Sequence, residues 1–224
     1  MSDLARLILL QDVLTLALVA HACWALRLVF GKALISRWIV LAPVATLLWG
    51  ALWSYVPALG AMRLAPPPLG QAGVILIALI GLSALWLGPH VRHRTGQFDP
   101  TPLLGMAVWR MVFGMSVLAV GVAGGLPASF YWSVGLGDIL VGLVGGALLL
   151  KRRPATPSQF RLWNLLGLAD LSHVLVLGAI TLIPFFTANA HVPFVNLLPL
   201  TGVPLLLSLH ILALRYRPRR AAIV

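Results

Sequence analysis

Residues 127–150 read PASFYWSVGLGDILVGLVGGALLL, 24 residues with a single charge, Asp138, at their middle. A run this long and this apolar spans a bilayer core as a helix, since about 20 residues suffice at 1.5 Å of rise each. Its central pentad, Gly135-Leu136-Gly137-Asp138-Ile139, returns as Gly167-Leu168-Ala169-Asp170-Leu171 inside a second long apolar run. Each copy sets a carboxylate where hydrocarbon is expected. That placement costs at least about 2.5–3.5 kcal/mol on insertion scales, so each acid is a candidate functional group.

The rest of the chain has the same character. Of 224 residues, 60% are apolar and 9% charged, against about 25% charged in soluble domains. This predicts an all-α polytopic membrane protein, a seven-transmembrane-helix bundle with one domain over residues 1–224. The spans fall at about 5–29, 36–60, 70–90, 102–124, 127–150, 160–185 and 194–214. Turn residues separate them: Pro66-Pro67-Pro68, Gly124-Gly125-Leu126-Pro127, and the stretch from Pro184 to Pro193. Arg6, an apolar run and Ala20-His21-Ala22 together mimic a cleavable secretory signal, but Asp12 interrupts the run, which favours a retained first span. The one cysteine, Cys23, excludes an internal disulfide framework and thiolate metal clusters.

The net charge of +11 sets orientation rather than nucleic-acid binding. Thirteen of the 16 Lys and Arg residues lie in the loops after spans one, three and five or in the C-terminal tail. By the positive-inside rule the N-terminus is outside and the C-terminus cytoplasmic. The tail Arg215-Tyr216-Arg217-Pro218-Arg219-Arg220 reads as a contact for anionic lipids. A near absence of Lys beside many Arg, Ala, Leu and Gly residues suggests a GC-rich bacterial gene, and hence a bacterial inner (cytoplasmic) membrane.

Depth follows from the rise per residue. Asp138 lies about 20 Å from Lys151, Asp170 about 14 Å beyond Arg161, Arg110 about 14 Å from Thr101, and Asp12 about 14 Å from Asp3. All four occupy the middle of a core about 30 Å thick. If their helices bring them together, three carboxylates surround one guanidinium. Arg110 would pair with one acid, and the others would take a proton, a cation or a bridging group. The opposed directions of the two pentads resemble the inverted repeats of secondary transporters, over five residues only.

Other polar groups extend this set. Asp170 and His173 are three apart on one helix, with Asn164 about two turns earlier, a spacing suited to proton relay or ligand binding. His21 and His210 lie at similar depth near the cytoplasmic ends of spans one and seven and are candidate ligands for haem iron or another metal. Pro199-Leu200-Thr201-Gly202-Val203-Pro204 is a candidate broken helix. Gly121 and Gly125, and Gly142 and Gly146, have the four-residue spacing of close helix contacts.

The order Arg110, Gly-Leu-Pro turn, Gly135-Leu136-Gly137-Asp138, then Trp163-Asn164-Leu165-Leu166-Gly167-Leu168-Ala169-Asp170-Leu171 resembles that of uncharacterised bacterial seven-helix membrane proteins. The likeness covers spans four to six and implies no activity. No Lys in the last span marks a retinal protein, and no phosphate loop, dinucleotide glycine pattern or serine elbow is present.

The sequence therefore predicts binding or transport of a small solute, proton or cation at a midplane site of Asp138, Asp170, Arg110, His173, Asp12 and Asn164, and assigns no catalytic residue. A membrane-embedded haem or metal redox enzyme using His21 and His210 is the first alternative. A non-catalytic subunit of a larger membrane complex is the second. All three readings are compatible with a homo-oligomer or a larger membrane complex, and none involves nucleic acid.

Overall fold

The computed structural model describes residues 2–30, 34–55, 67–87, 101–151, 155–189 and 197–214. Every regular element among them is helical: α1 (Asp3–Phe30), α2 (Leu34–Tyr55), α3 (Pro67–Leu87), α4 (Thr101–Gly105), α5 (Ala107–Val122), α6 (Ala128–Leu149), α7 (Pro157–Ala188), a π-helical turn (Leu198–Gly202) and α8 (Val203–Ala213). Four stretches are long and apolar enough to cross a membrane: Asp3–Phe30, Thr101–Val122, Ala128–Leu149 and Pro157–Phe186. Shorter apolar helices at Leu41–Leu52, Gly73–Ala84 and Leu198–Ala213 fall in the second, third and seventh predicted spans. The markers Lys32, Arg63, Arg92, Arg94, Arg152, Arg153 and the basic tail from Arg215 lie outside the described residues.

Local sequence sets the helix ends. At the end of α5, Gly124 adopts φ +84°, where a side chain would be strained. Gly124 N–H donates to Gly121 O and Gly125 N–H to Val120 O, both at 2.9 Å, which closes a Schellman turn. Pro127 then caps α6, so the two helices form a tight antiparallel hairpin. Thr156 opens α7 with a capping box to Gln159, and Pro157 follows in the first turn.

The outer surface carries many large apolar side chains, and a set of polar groups lies within an otherwise apolar interior. Leu10, Leu48, Ile77, Val122, Leu140 and Ile180 face outward, while Gln11, Asp12, Arg110, Asp138, Asn164 and His210 are buried. Lone exposed apolar residues are ordinary, but this many on helices that enclose polar groups suits a hydrocarbon solvent. α8 is buried all round, with Leu205, Ser208 and Leu212 at 0% exposure, and packs on α3 and α7.

Two expectations from spacing are revised. The Pro199–Pro204 stretch does not unwind. It widens into the π-helical turn, and Val203 N–H still reaches Leu198 O. Of the four spaced glycines, Gly142 packs against the Met111 backbone at 2.6 Å for an added Cβ, whereas one on Gly146 meets open space. Gly121 on α5 does make the close contact expected of it, since a Cβ there would overlap the Tyr131 ring of α6, and Gly114 adds an unforeseen one, where a Cβ would meet Gly135 O at 2.5 Å and Asp138 Cβ at 2.9 Å.

Candidate functional site

Arg110 extends from α5, Asp138 from α6 and Asp170 from α7. Arg110 Nε lies 2.7 Å from Asp138 Oδ1, and Arg110 Nη2 donates a hydrogen bond to Asp170 Oδ2. The first contact is an ion pair without hydrogen-bond alignment, since Nε has no aligned acceptor. Arg110 is 1% exposed, and the two carboxylate side chains are 11% and 12% exposed. One guanidinium thus bridges the acids of both pentads. With all three ionised, two negative charges face one positive, and the trio carries one surplus negative charge.

Glycine at chosen positions makes this arrangement possible. Gly114, one turn past Arg110, lets the α6 backbone carry Asp138 up to α5. A Cβ on Gly137 would overlap Asp170 Oδ1, so the residue just before Asp138 clears the space for the second acid. In the other pentad, Gly167 does the same for the His210 ring.

A second buried pair adjoins the first. Asn164 Nδ2 donates to His210 O at 3.0 Å, which fixes the amide so that Asn164 Oδ1 accepts from His210 Nδ1 at 2.8 Å. The Trp163 and His210 rings lie 4.9 Å apart. Arg110, Trp163 and His210 border a void of about 10 Å³, room for about one water.

On the side toward the end of α5, a cavity of about 400 Å³ reaches Arg110 and Asp138. It runs past Phe113, Val117 and Phe130 to Leu126 and Phe186. Among the described residues that line it, Gln11, Arg110 and Asp138 alone are polar. Gln11 Nε2 donates to Ser116 Oγ at 3.0 Å. Arg110 Nη1 is buried and finds no acceptor among the described residues.

The remaining expected site residues go elsewhere. Asp12 does not join the guanidinium. Its Oδ1 accepts from Leu197 N–H at 2.7 Å, at the N-terminus of the last helical segment, where unpaired N–H groups and the helix dipole favour a carboxylate. His173 is exposed and pairs through Nε2 with Ser133 Oγ at 2.8 Å, while Asp170 turns inward. His21 and His210 have separate partners: Trp109 Nε1 donates to His21 Nδ1 at 2.9 Å. Among the described residues no group of three or more His, Cys, Asp or Glu side chains could hold a metal ion. The cavity, Gln11 and Trp109 were not foreseen. Gln11 beside Asp12 in an apolar run was the one available signal.

Residues 67–216 match the model of a family described as a domain of unknown function (DUF8737), about two thirds of the chain. The chain belongs to the DUF8737 family. Comparison with curated proteins and with solved structures gives no match. The DUF8737 region takes in α3 to α8, and with them Arg110, Asp138, Asp170, Asn164 and His210. Gln11, Asp12 and His21 precede it on α1. The ion cluster is thus internal to the family's region, and α1 adds one wall of the cavity.

Proposed function

We propose that this DUF8737 protein is a seven-span protein of a bacterial inner membrane, N-terminus outside, that binds a small ligand together with one proton or small cation and moves them across the bilayer. The observation that carries this reading is the bridge from Arg110 to both Asp138 and Asp170. A surplus charge inside hydrocarbon is costly, and one proton or one monovalent cation cancels it. Asp138 and Asp170 then carry the coupling species, and Arg110 holds them at one depth. The distribution of basic residues supports the orientation, and the cavity then lies in the outer half of the bundle. Arg110 borders both this cavity and the small void beside His210, an arrangement suited to access from one side at a time.

Infrared spectroscopy of the purified protein tests this without knowledge of the ligand. The wild type shows the carbonyl band of a protonated, buried carboxyl, or else is stabilised against heat by Na⁺ or K⁺ in a saturable way. Asp138→Asn or Asp170→Asn removes that band or that cation response. A wild type with neither property overturns the proposal.

A further inference from the structure

Resting on that coupling site, we infer that the cavity takes a hydrophobic amine, a molecule with an apolar body and one basic nitrogen at its end, held as an ammonium on Asp138. The walls set the body. Phe113, Phe130, Val134, Val174, Leu182 and Phe186 offer hydrocarbon only. A volume of about 400 Å³ lies within the range of about 300–1,000 Å³ for small-molecule sites.

The polar end follows from which group at the end of the cavity is open. Arg110 is 1% exposed, and its Nη1 is sealed. Gln11 is buried, with its amide nitrogen on Ser116. The Asp138 side chain keeps 11% exposure and borders the cavity but not the small void beside His210. Its Oδ1 faces Arg110 Nε, whereas Oδ2 takes no hydrogen bond among the described residues and is not sealed. An incoming molecule thus meets an acceptor and must donate to it.

Charge narrows the choice further. Asp138 and Asp170 together outnumber Arg110 by one negative charge. A carboxylate or phosphate end would deepen that surplus, and a ketone or ester has no hydrogen to donate. An alcohol or amide donates but leaves the surplus in place. An ammonium donates and cancels it. A neutral amine plus one proton is an ammonium, so one molecule supplies both the ligand and the proton of the coupling reading.

Entry from lipid favours an amine over a permanent cation. A bare charge is costly in hydrocarbon, whereas an uncharged amine crosses it and takes its charge at the site. There the carboxyl O–H breaks, an N–H bond forms, and the carboxylate left behind pairs with the new ammonium. The body adds little selectivity, because lipid tails are as apolar as the cavity wall. Selection among chains of equal length then rests on the hydrogen bond to a charged group, worth roughly a tenfold preference or more.

Four twelve-carbon probes differing only at one end provide the test: a primary amine, a primary alcohol, a carboxylate and the plain alkane. They compete at equal concentration for the full-length protein in nanodiscs of zwitterionic lipid, with occupancy read by native mass spectrometry. The amine is expected to be retained about tenfold or more over each of the others. It also removes the infrared carboxyl band or the cation response, which the alcohol leaves in place. Asp138→Asn, which keeps the shape but not the charge, brings the amine down to the level of the alcohol. Gly178 lines the cavity about two turns of α7 beyond Asp170, and a Cβ there meets only Phe130 and Leu182, at 3.5 and 3.7 Å. Gly178→Phe therefore fills the cavity and cuts amine retention about tenfold or more. Equal retention of amine and alcohol, a preference for the carboxylate, an amine preference that survives Asp138→Asn, amine retention unchanged by Gly178→Phe, or no binding above empty nanodiscs overturns the inference. A wild-type protein lacking both the carboxyl band and the cation response overturns the coupling site instead.

Discussion

Gly137→Ala places one methyl group where Asp170 Oδ1 now lies. The colliding atom ends a short side chain, so in isolation it could swing aside cheaply. Here it cannot do so freely, because the same carboxylate accepts from the buried Arg110. Displacing Asp170 therefore loses a hydrogen bond to a charged group, about 1.5–3 kcal/mol. Alanine also favours helix over glycine by up to about 1 kcal/mol, which offsets part of the loss. A net destabilisation of about 0.5–2 kcal/mol remains, or roughly 1–8 °C in Tm for a chain of this size. Thermal unfolding of the purified protein in one fixed detergent measures it. The decisive comparison is the double-mutant cycle. In an Asp170→Ala background the obstacle is gone, and Gly137→Ala should become neutral or stabilising by up to about 1 kcal/mol. Destabilisation of the same size in both backgrounds, or none in the wild type, would refute the argument that Gly137 exists to admit Asp170.

Asp12→Ala removes the acceptor for Leu197 N–H and should cost about 1–3 kcal/mol in the same unfolding assay. Asp12→Asn keeps an acceptor oxygen and should recover most of that loss, which it could not do if the negative charge were needed at the ion cluster. His173→Ala should change stability by less than about 0.5 kcal/mol and leave the infrared carboxyl band in place, since the imidazole is exposed and bonds only a surface serine.

The helices, and the shared level of Arg110, Asp138 and Asp170 along them, were legible because both are local properties. Apolar run length fixes a span, and a rise of about 1.5 Å per residue fixes how far along it a carboxylate lies. That is why Asp138, Asp170 and Arg110 could be set at one level before any packing was known. Rotation about each axis was not legible in this way. Asp170 and His173, three residues apart, differ by about 60° around the helix. That angle suffices to turn one toward Arg110 and the other outward to Ser133. Asp12 faces the start of the last helix instead, a neighbour 185 residues away in sequence.

By itself, then, the sequence determined an all-helical chain with acids near the middle of long apolar runs. It did so because run length and the place of a charge within a run are read residue by residue. Only the tertiary structure decided that one guanidinium would hold both pentad acids, that Asp12 would cap a helix, and that an apolar cavity would end on Arg110. Those outcomes depend on which helix faces meet, and glycines such as Gly114 and Gly137 set that by how closely they let backbones and side chains approach.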